Sequence, residues 1–164
     1  MKQVAALPVA RDADGALRVL MITSRETRRF IVPKGWPMKN KSDHVAAAIE
    51  ARDEAGLVGH ARKRPIGSYL AWKRREDRFQ LVRVKVFLFY VERHLKNWKE
   101  KGQRDIAWLA VEDAVTLIDE PGLAAIIESL PHRLPKSWRN WTSKNLSVEA
   151  TLGNHPVIGL EKVE

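Results

Sequence analysis

The stretch FQLVRVKVFLFYVE, residues 79–92, limits the fold more than any other. Val82, Val84, Val86, Leu88 and Tyr90 alternate with Arg83, Lys85, Phe87 and Phe89, which is the period of a strand. One face is apolar throughout and the other becomes apolar only in the second half. Such a strand buries one face and offers Arg83 and Lys85 on the other. PIGSYLAW precedes it across the charged segment KRREDR, so the two runs read as a hairpin with a polar tip.

A first hairpin is expected from VAALPVA and LRVLMITS, joined by RDADG, where Asp14-Gly15 supplies turn chemistry. RFIVPKGWP reads as a short strand ended by Pro33 and followed by a loop that Gly35 frees and Pro37 stiffens. A helix is expected over 43–55, with Ser42 at its N-cap, Asp43 at the positive end of its dipole and Gly56 as a left-handed C-cap. IAWLA is a short strand, and VEDAVTLI and PGLAAIIESL are two helical pieces divided by Pro121-Gly122. Strands interrupted by one central helix, with further helix near the end, indicate an α+β or α/β sandwich. Residues 1–130 form the expected domain. Residues 131–164, with Pro131, Pro135 and Pro156 and no long periodic run, read as an extended basic tail.

The chain has 164 residues, a formal net charge of +9 and no cysteine. Its length suits one domain. The charge favours anionic partners such as phosphate esters, nucleic acid or acidic headgroups, and the absence of cysteine excludes disulfides, thiolate metal sites and cysteine nucleophiles. No run approaches membrane-spanning length, and the N-terminal apolar run is interrupted too early for a signal peptide, so a soluble cytoplasmic protein is expected. The oligomeric state stays open. His44, His60, His94, His132 and His155 show no metal-ligand spacing.

In GWPMKNKSDHVAAAIEARDEAGL, residues 35–57, Glu50 stands one helical turn from both Asp53 and Glu54. Like charges so placed repel, and the arrangement becomes favourable around a hard divalent cation such as Mg²⁺, which takes carboxylate and phosphate oxygens. A solvated face with Arg52 as counterion is the plainer reading of any three carboxylates.

The full spacing resembles the Nudix box: a glycine, five residues, a glutamate, seven residues, arginine, glutamate, an apolar residue, any residue, two glutamates, any residue, glycine and an apolar residue. Gly35, Glu50, Ala51, Glu54, Gly56 and Leu57 fall on these positions without a gap, and Asp53 stands for the first of the paired glutamates. Lys41 replaces the first glutamate and Ile49 the arginine. In the family these two commonly form a supporting charged pair, so their joint replacement reads as one coupled loss. FIVPKGWP is similar to the segment before the box in the diphosphoinositol polyphosphate and dinucleoside polyphosphate hydrolase branches.

The resemblance covers about residues 3–130. It implies the Nudix α/β/α sandwich with a mixed sheet, and a pyrophosphohydrolase in which water attacks a diphosphate linkage with Mg²⁺ or Mn²⁺ as cofactor. Glu50, Asp53 and Glu54 would be the metal-binding and catalytic carboxylates. The general base, which varies among Nudix enzymes, has candidates in Glu92, Glu100 and Glu112, with Glu100 preferred.

Lys34, Gly35, Lys39, Arg83 and Lys85 are the candidate substrate-binding residues, with Arg28 and Arg29 as further cations; a solvated surface is their alternative. Trp36 reads as a cover for the substrate or as a packing plug. Trp138 and Trp141, interleaved with Lys136, Arg139 and Lys144, could stack on nucleic-acid bases or pack on the domain itself. The expected substrate is a small polyphosphorylated molecule, either a dinucleoside polyphosphate or a diphosphoinositol polyphosphate. A Nudix-fold nucleotide- or RNA-binding protein without turnover, and an RNA 5′ pyrophosphohydrolase, are the competing readings.

Overall fold

Strand β7, Phe79–His94, is the spine that the alternating run requires. In the computed structural model, which describes residues 1–139, Val82, Val84, Val86, Leu88 and Tyr90 enter one buried cluster and Phe87, Phe89 and Val91 another. The sheet therefore has a core on each side.

β1 (Lys2–Arg11) runs parallel to β7, from Lys2 opposite Arg83 to Val9 opposite Tyr90. β2 (Leu17–Thr23) returns antiparallel to β1 through the expected turn. There Gly15 has a φ of 79° and the Asp12 carboxylate accepts from the amides of Asp14 and Ala16. β3 (Phe30–Ile31) pairs with β2, and β4 (Lys34–Gly35) with β1. The first half of β7 pairs with β6 (Gly67–Arg74), its end with β5 (Leu57–Ala61), and β2 also pairs with β8 (Ile106–Ala110). One parallel pairing among antiparallel ones makes the sheet mixed.

Helix α1, Asp43–Ala55, packs against one face of this sheet. Ala46, Ala47, Ala51 and Ala55 are fully buried there, and their small side chains let the helix backbone approach β1 and β5 closely. Gly56, at φ 69°, ends the helix and donates its N–H to the Arg52 carbonyl. Ser42 holds the N-cap position with extended backbone but makes no side-chain cap bond.

The opposite face carries α2 (Val111–Leu117), α3 (Pro121–Glu128), α4 (Leu130–Arg133) and α5 (Lys136–Arg139). Helices on both faces of a mixed sheet make the α/β/α sandwich that the box resemblance implies. No helix among the described residues is long and apolar enough to cross a membrane.

Three expectations change. RFIVPKG is two two-residue strands, because Pro33 has no N–H to continue a ladder; its carbonyl instead accepts from Ala6. β5 was not anticipated. It is short, and its ladder with β7 shifts register between Val58 and Gly59, where a Cβ on residue 59 would collide with the Tyr90 carbonyl. The tail does not begin at residue 131. Leu130, Leu134 and Trp138 recur every four residues and join the core, with the Trp138 ring 4.3 Å from that of Tyr90. Trp138 therefore packs on its own domain, whereas Trp141, Lys144 and His155 lie outside the described residues.

Candidate active site

The loop through β4 and the second half of α1 build the acidic site together. Glu50 and Glu54 are one turn apart and both face β4. A Cβ on Gly35 would overlap the Glu50 carboxylate, so only glycine lets that side chain lie against the strand. The backbone N–H of Lys34 donates to Glu54 Oε2 at 3.2 Å. Pro33 and the β1–β4 pairing hold this stretch in place, which fixes both carboxylates relative to the sheet.

Glu54 is not the exposed residue its place near a helix end suggests. It is 7% exposed, and Arg104, from the loop before β8, donates to its Oε1 at 3.0 Å. Arg104 also donates to the Thr23 carbonyl at 3.1 Å and stands 3.7 Å from Glu100 Oε1. Its Nε is buried and makes no hydrogen bond. Burial pushes the Glu54 carboxyl up to about 7, against the opposing pull of Arg104 and the Lys34 amide. Glu50 is also raised, first by burial and then by the charges of Asp53 and Glu100.

Glu100 joins the group from a distant loop. Its N–H donates to the Asp53 carbonyl at 3.0 Å and its carboxylate meets Arg25 at 3.1 Å. The other two base candidates lie elsewhere: Glu92 pairs with His60 at 2.6 Å, and Glu112 is exposed in the first turn of α2. Asp53 is held less closely than the glutamates, its carboxylate meeting Arg52 Nε at 3.2 Å.

The expected convergence of Glu50, Asp53 and Glu54 on one point is not what the side chains show. Among the described residues no group of three or more His, Cys, Asp or Glu side chains is gathered tightly enough to hold a metal ion. The physical reason is visible at Glu54 and Asp53, whose oxygens are drawn to arginines. The donor chemistry still suits a hard divalent ion, since carboxylates that raise one another's proton affinity gain from a shared cation.

The substrate-binding candidates separate into two groups. Lys34 belongs to the site: burial holds its ammonium below its usual range, Glu54 opposes that effect, and Lys73 adds to it. Gly35 belongs there through Glu50. Lys39 is exposed on the loop before α1. Lys85 is drawn away, bonding Asp43 at 3.0 Å together with Lys2. Asp43 is eleven residues from Glu54, about 16 Å along the helix. Arg83 donates to Ser68 Oγ at 3.4 Å on that same sheet face. Arg28 and Arg29 are engaged by Asp105 and Asp119. In their place stand Lys73, close enough to feel the charge of Glu54, and Arg104, neither of which has a local sequence signal.

No family model matches the chain. It is 31% identical over 131 residues to Nudix hydrolase 16, mitochondrial, of Arabidopsis thaliana, covering 73% of this chain and 72% of that protein. It is 30% identical over 115 residues to Nudix hydrolase 13, mitochondrial, of the same plant, covering 65% of this chain and 55% of that one. Among solved structures, an Ap4A hydrolase binary complex from C. elegans shares the fold with a TM-score of 0.59 and 15% identity, over 80% of this chain and 95% of that one. The NUDIX domain of Shewanella oneidensis NrtR, in complex with ADP ribose, gives a TM-score of 0.62 at 13% identity, over 82% and 88% of the two chains.

A mixed sheet between helices, with box carboxylates packed on a glycine strand, is the α/β/α sandwich of the Nudix fold. The chain belongs to the Nudix hydrolase family, whose members act on phosphorus-containing acid anhydrides and generally use divalent cations.

Proposed function

We propose that this protein is a divalent-cation-dependent pyrophosphohydrolase that cleaves a diphosphate linkage in a polyphosphorylated small molecule, with a dinucleoside polyphosphate or a diphosphoinositol polyphosphate as the substrate class. The observation that carries this reading is the packing of Glu50 and Glu54 against Lys34–Gly35, with Glu100 brought alongside. Glu50 and Glu54 would hold the ion, Mg²⁺ by preference or Mn²⁺, with Asp53 at the margin. When bound, such an ion neutralises phosphate charge and lowers the pKa of water.

The chain's own residues do the rest. Lys34, half-buried beside Glu54, offers an ammonium to a phosphate oxygen in a setting where water screens it little. Glu100, whose charge acts on both Glu50 and Glu54, would take the proton of an attacking water. Gly35 leaves the Glu50 carboxylate room against the strand, so that this group would be positioned for the ion.

One observation favours a second reading, a Nudix-fold binding protein without turnover: the Arg104 guanidinium already neutralises Glu54. A hydrolysis panel separates the two. Dinucleoside polyphosphates, nucleotide sugars, inositol pyrophosphates and 5′-triphosphate RNA are each incubated with Mg²⁺ and with Mn²⁺. Metal-dependent turnover of the polyphosphates is the expected result; binding without turnover by any of them would leave the second reading. Preferential, steeply salt-dependent action on RNA would instead identify an RNA 5′ pyrophosphohydrolase.

A further inference from the structure

The hairpin of β6 and β7 carries a cluster that the carboxylate site does not use. Trp36, on the loop leaving Gly35, is 37% exposed. Lys73 Nζ lies 4.7 Å from its ring centroid and the Arg75 guanidinium carbon 5.4 Å. The alternation of β6 turns Lys73 to the same side as Tyr69, the residue that Gly122 of α3 touches, while Leu70 and Trp72 point outward. Lys73 thus stands on the α3 side of the sheet, opposite α1, and is near enough to the carboxylate site that it feels the charge of Glu54 and acts on Lys34.

Two cations on one ring repel each other, yet neither forms an ion pair with a carboxylate among the described residues. Arg75 donates instead to Gln80 Oε1 at 3.3 Å and Met1 Sδ at 3.6 Å. The indole is what holds them together, through the attraction of its face for cations. Cations gathered on one ring, partly shielded, bonded to no carboxylate and offset only through the more distant charges of Glu26 and Glu54, are electrostatically open to an anion.

We propose that Lys73 and Arg75, positioned by Trp36, form a second anion-binding site that takes the phosphates of a polyphosphate chain lying beyond those at the carboxylates. The inference rests on the polyphosphate reading above and assigns the task of reading chain length to the hairpin. Lys85 and Arg83, on the other sheet face, do not share in it.

The test measures binding rather than turnover, so it is readable even if the protein hydrolyses nothing. Inorganic tripolyphosphate is titrated by calorimetry into the full chain with EDTA present, which removes any metal contribution. Wild type is compared with the double variant Lys73→Ala/Arg75→Ala and with the charge-matched Lys63→Ala/Arg64→Ala, whose two exposed cations lie on the loop between β5 and β6. The first pair is expected to weaken Kd by about tenfold or more, the loss of one or two charge-assisted contacts. The second pair is expected to stay within about twofold, a screened long-range effect. Trp36→Leu, which keeps both charges, should weaken binding by about threefold, in line with an exposed cation–π contact. Equal weakening by both double variants, no weakening by the first, or no binding by wild type would overturn the proposal.

Discussion

The two ends of α1 hold carboxylates in opposite ways. At the N-terminal end Asp43 faces Lys2 and Lys85 with water at hand; the hydrogen bond from Lys2, helped by that from Lys85, holds its carboxyl below the usual range against the cost of burial. Toward the C-terminal end Glu54 is buried, and its carboxyl is pushed up to about 7 although Arg104 touches it. Glu50, one turn earlier, is raised as well. Asp43 sits where its charge is favourable, whereas Glu50 and Glu54 sit where their charges are costly. Costly, crowded charge clusters at functional sites, which supports the proposal that the second half of α1 is the functional half.

The largest effect that sharpens this contrast is expected from Glu54→Gln. It should lower metal-dependent hydrolysis at least about a hundredfold, as loss of a group acting directly on the reacting phosphate does. Because burial makes the Glu54 charge costly and Arg104 keeps Glu100 and the Thr23 carbonyl as partners, stability should change by less than about 1 kcal/mol. Steady-state rates and urea unfolding check the two parts; activity within a few-fold of wild type would remove Glu54 from the reaction. Next comes Gly35→Ala. Its methyl must displace the Glu50 carboxylate, the end of a flexible side chain, so hydrolysis should fall about tenfold or more while stability changes by less than about 1 kcal/mol. Unchanged kinetics would mean that the contact between strand and helix does not position Glu50.

The smallest effect belongs to the other end of the helix. Asp43→Asn removes two partly exposed ion pairs and should leave hydrolysis unchanged, with a stability cost below about 1 kcal/mol. Because the folded-state pKa of Asp43 is lowered, its contribution is present above its unfolded value near 3.8 and is lost as pH falls through the lower folded value. Urea midpoints of wild type and variant should therefore differ slightly at pH 7 and coincide near pH 2 to 3. A larger gap in acid than at neutrality would contradict the sign.

What could be read before the structure follows the range of the forces involved. The limits of α1 were legible because its cap and end are local, with Ser42 before it and Gly56 in a left-handed conformation after it. The alternation at 82–90 predicts the buried face of Val82 to Tyr90, because period two assigns faces; that Phe87, Phe89 and Val91 enter a second core depends on α1 packing over them. The approach of Glu50 and Glu54 to β4 follows from the box spacing, which puts a glycine opposite them. Arg104, fifty residues from Glu54, and Lys73, placed by the pairing of β6 with β7, carry no local signal; only tertiary structure brings them in. Arg83 and Lys85 were assigned to phosphate because alternation shows which residues share a face, not which end of a helix that face meets. Leu134 and Trp138 were read as tail because Pro131 and Pro135 obscure a four-residue period that the core uses.

The central claim is that the carboxylates of the second half of α1 act through a divalent ion on a polyphosphate. Its most direct test is hydrolysis of a dinucleoside tetraphosphate by protein stripped with EDTA, with Mg²⁺ then restored, in wild type and in Glu50→Gln. The account predicts no turnover in stripped wild type, full recovery on adding Mg²⁺, and recovery at least about a hundredfold lower in Glu50→Gln. Recovery in Glu50→Gln within a few-fold of wild type, or turnover indifferent to EDTA, would contradict it.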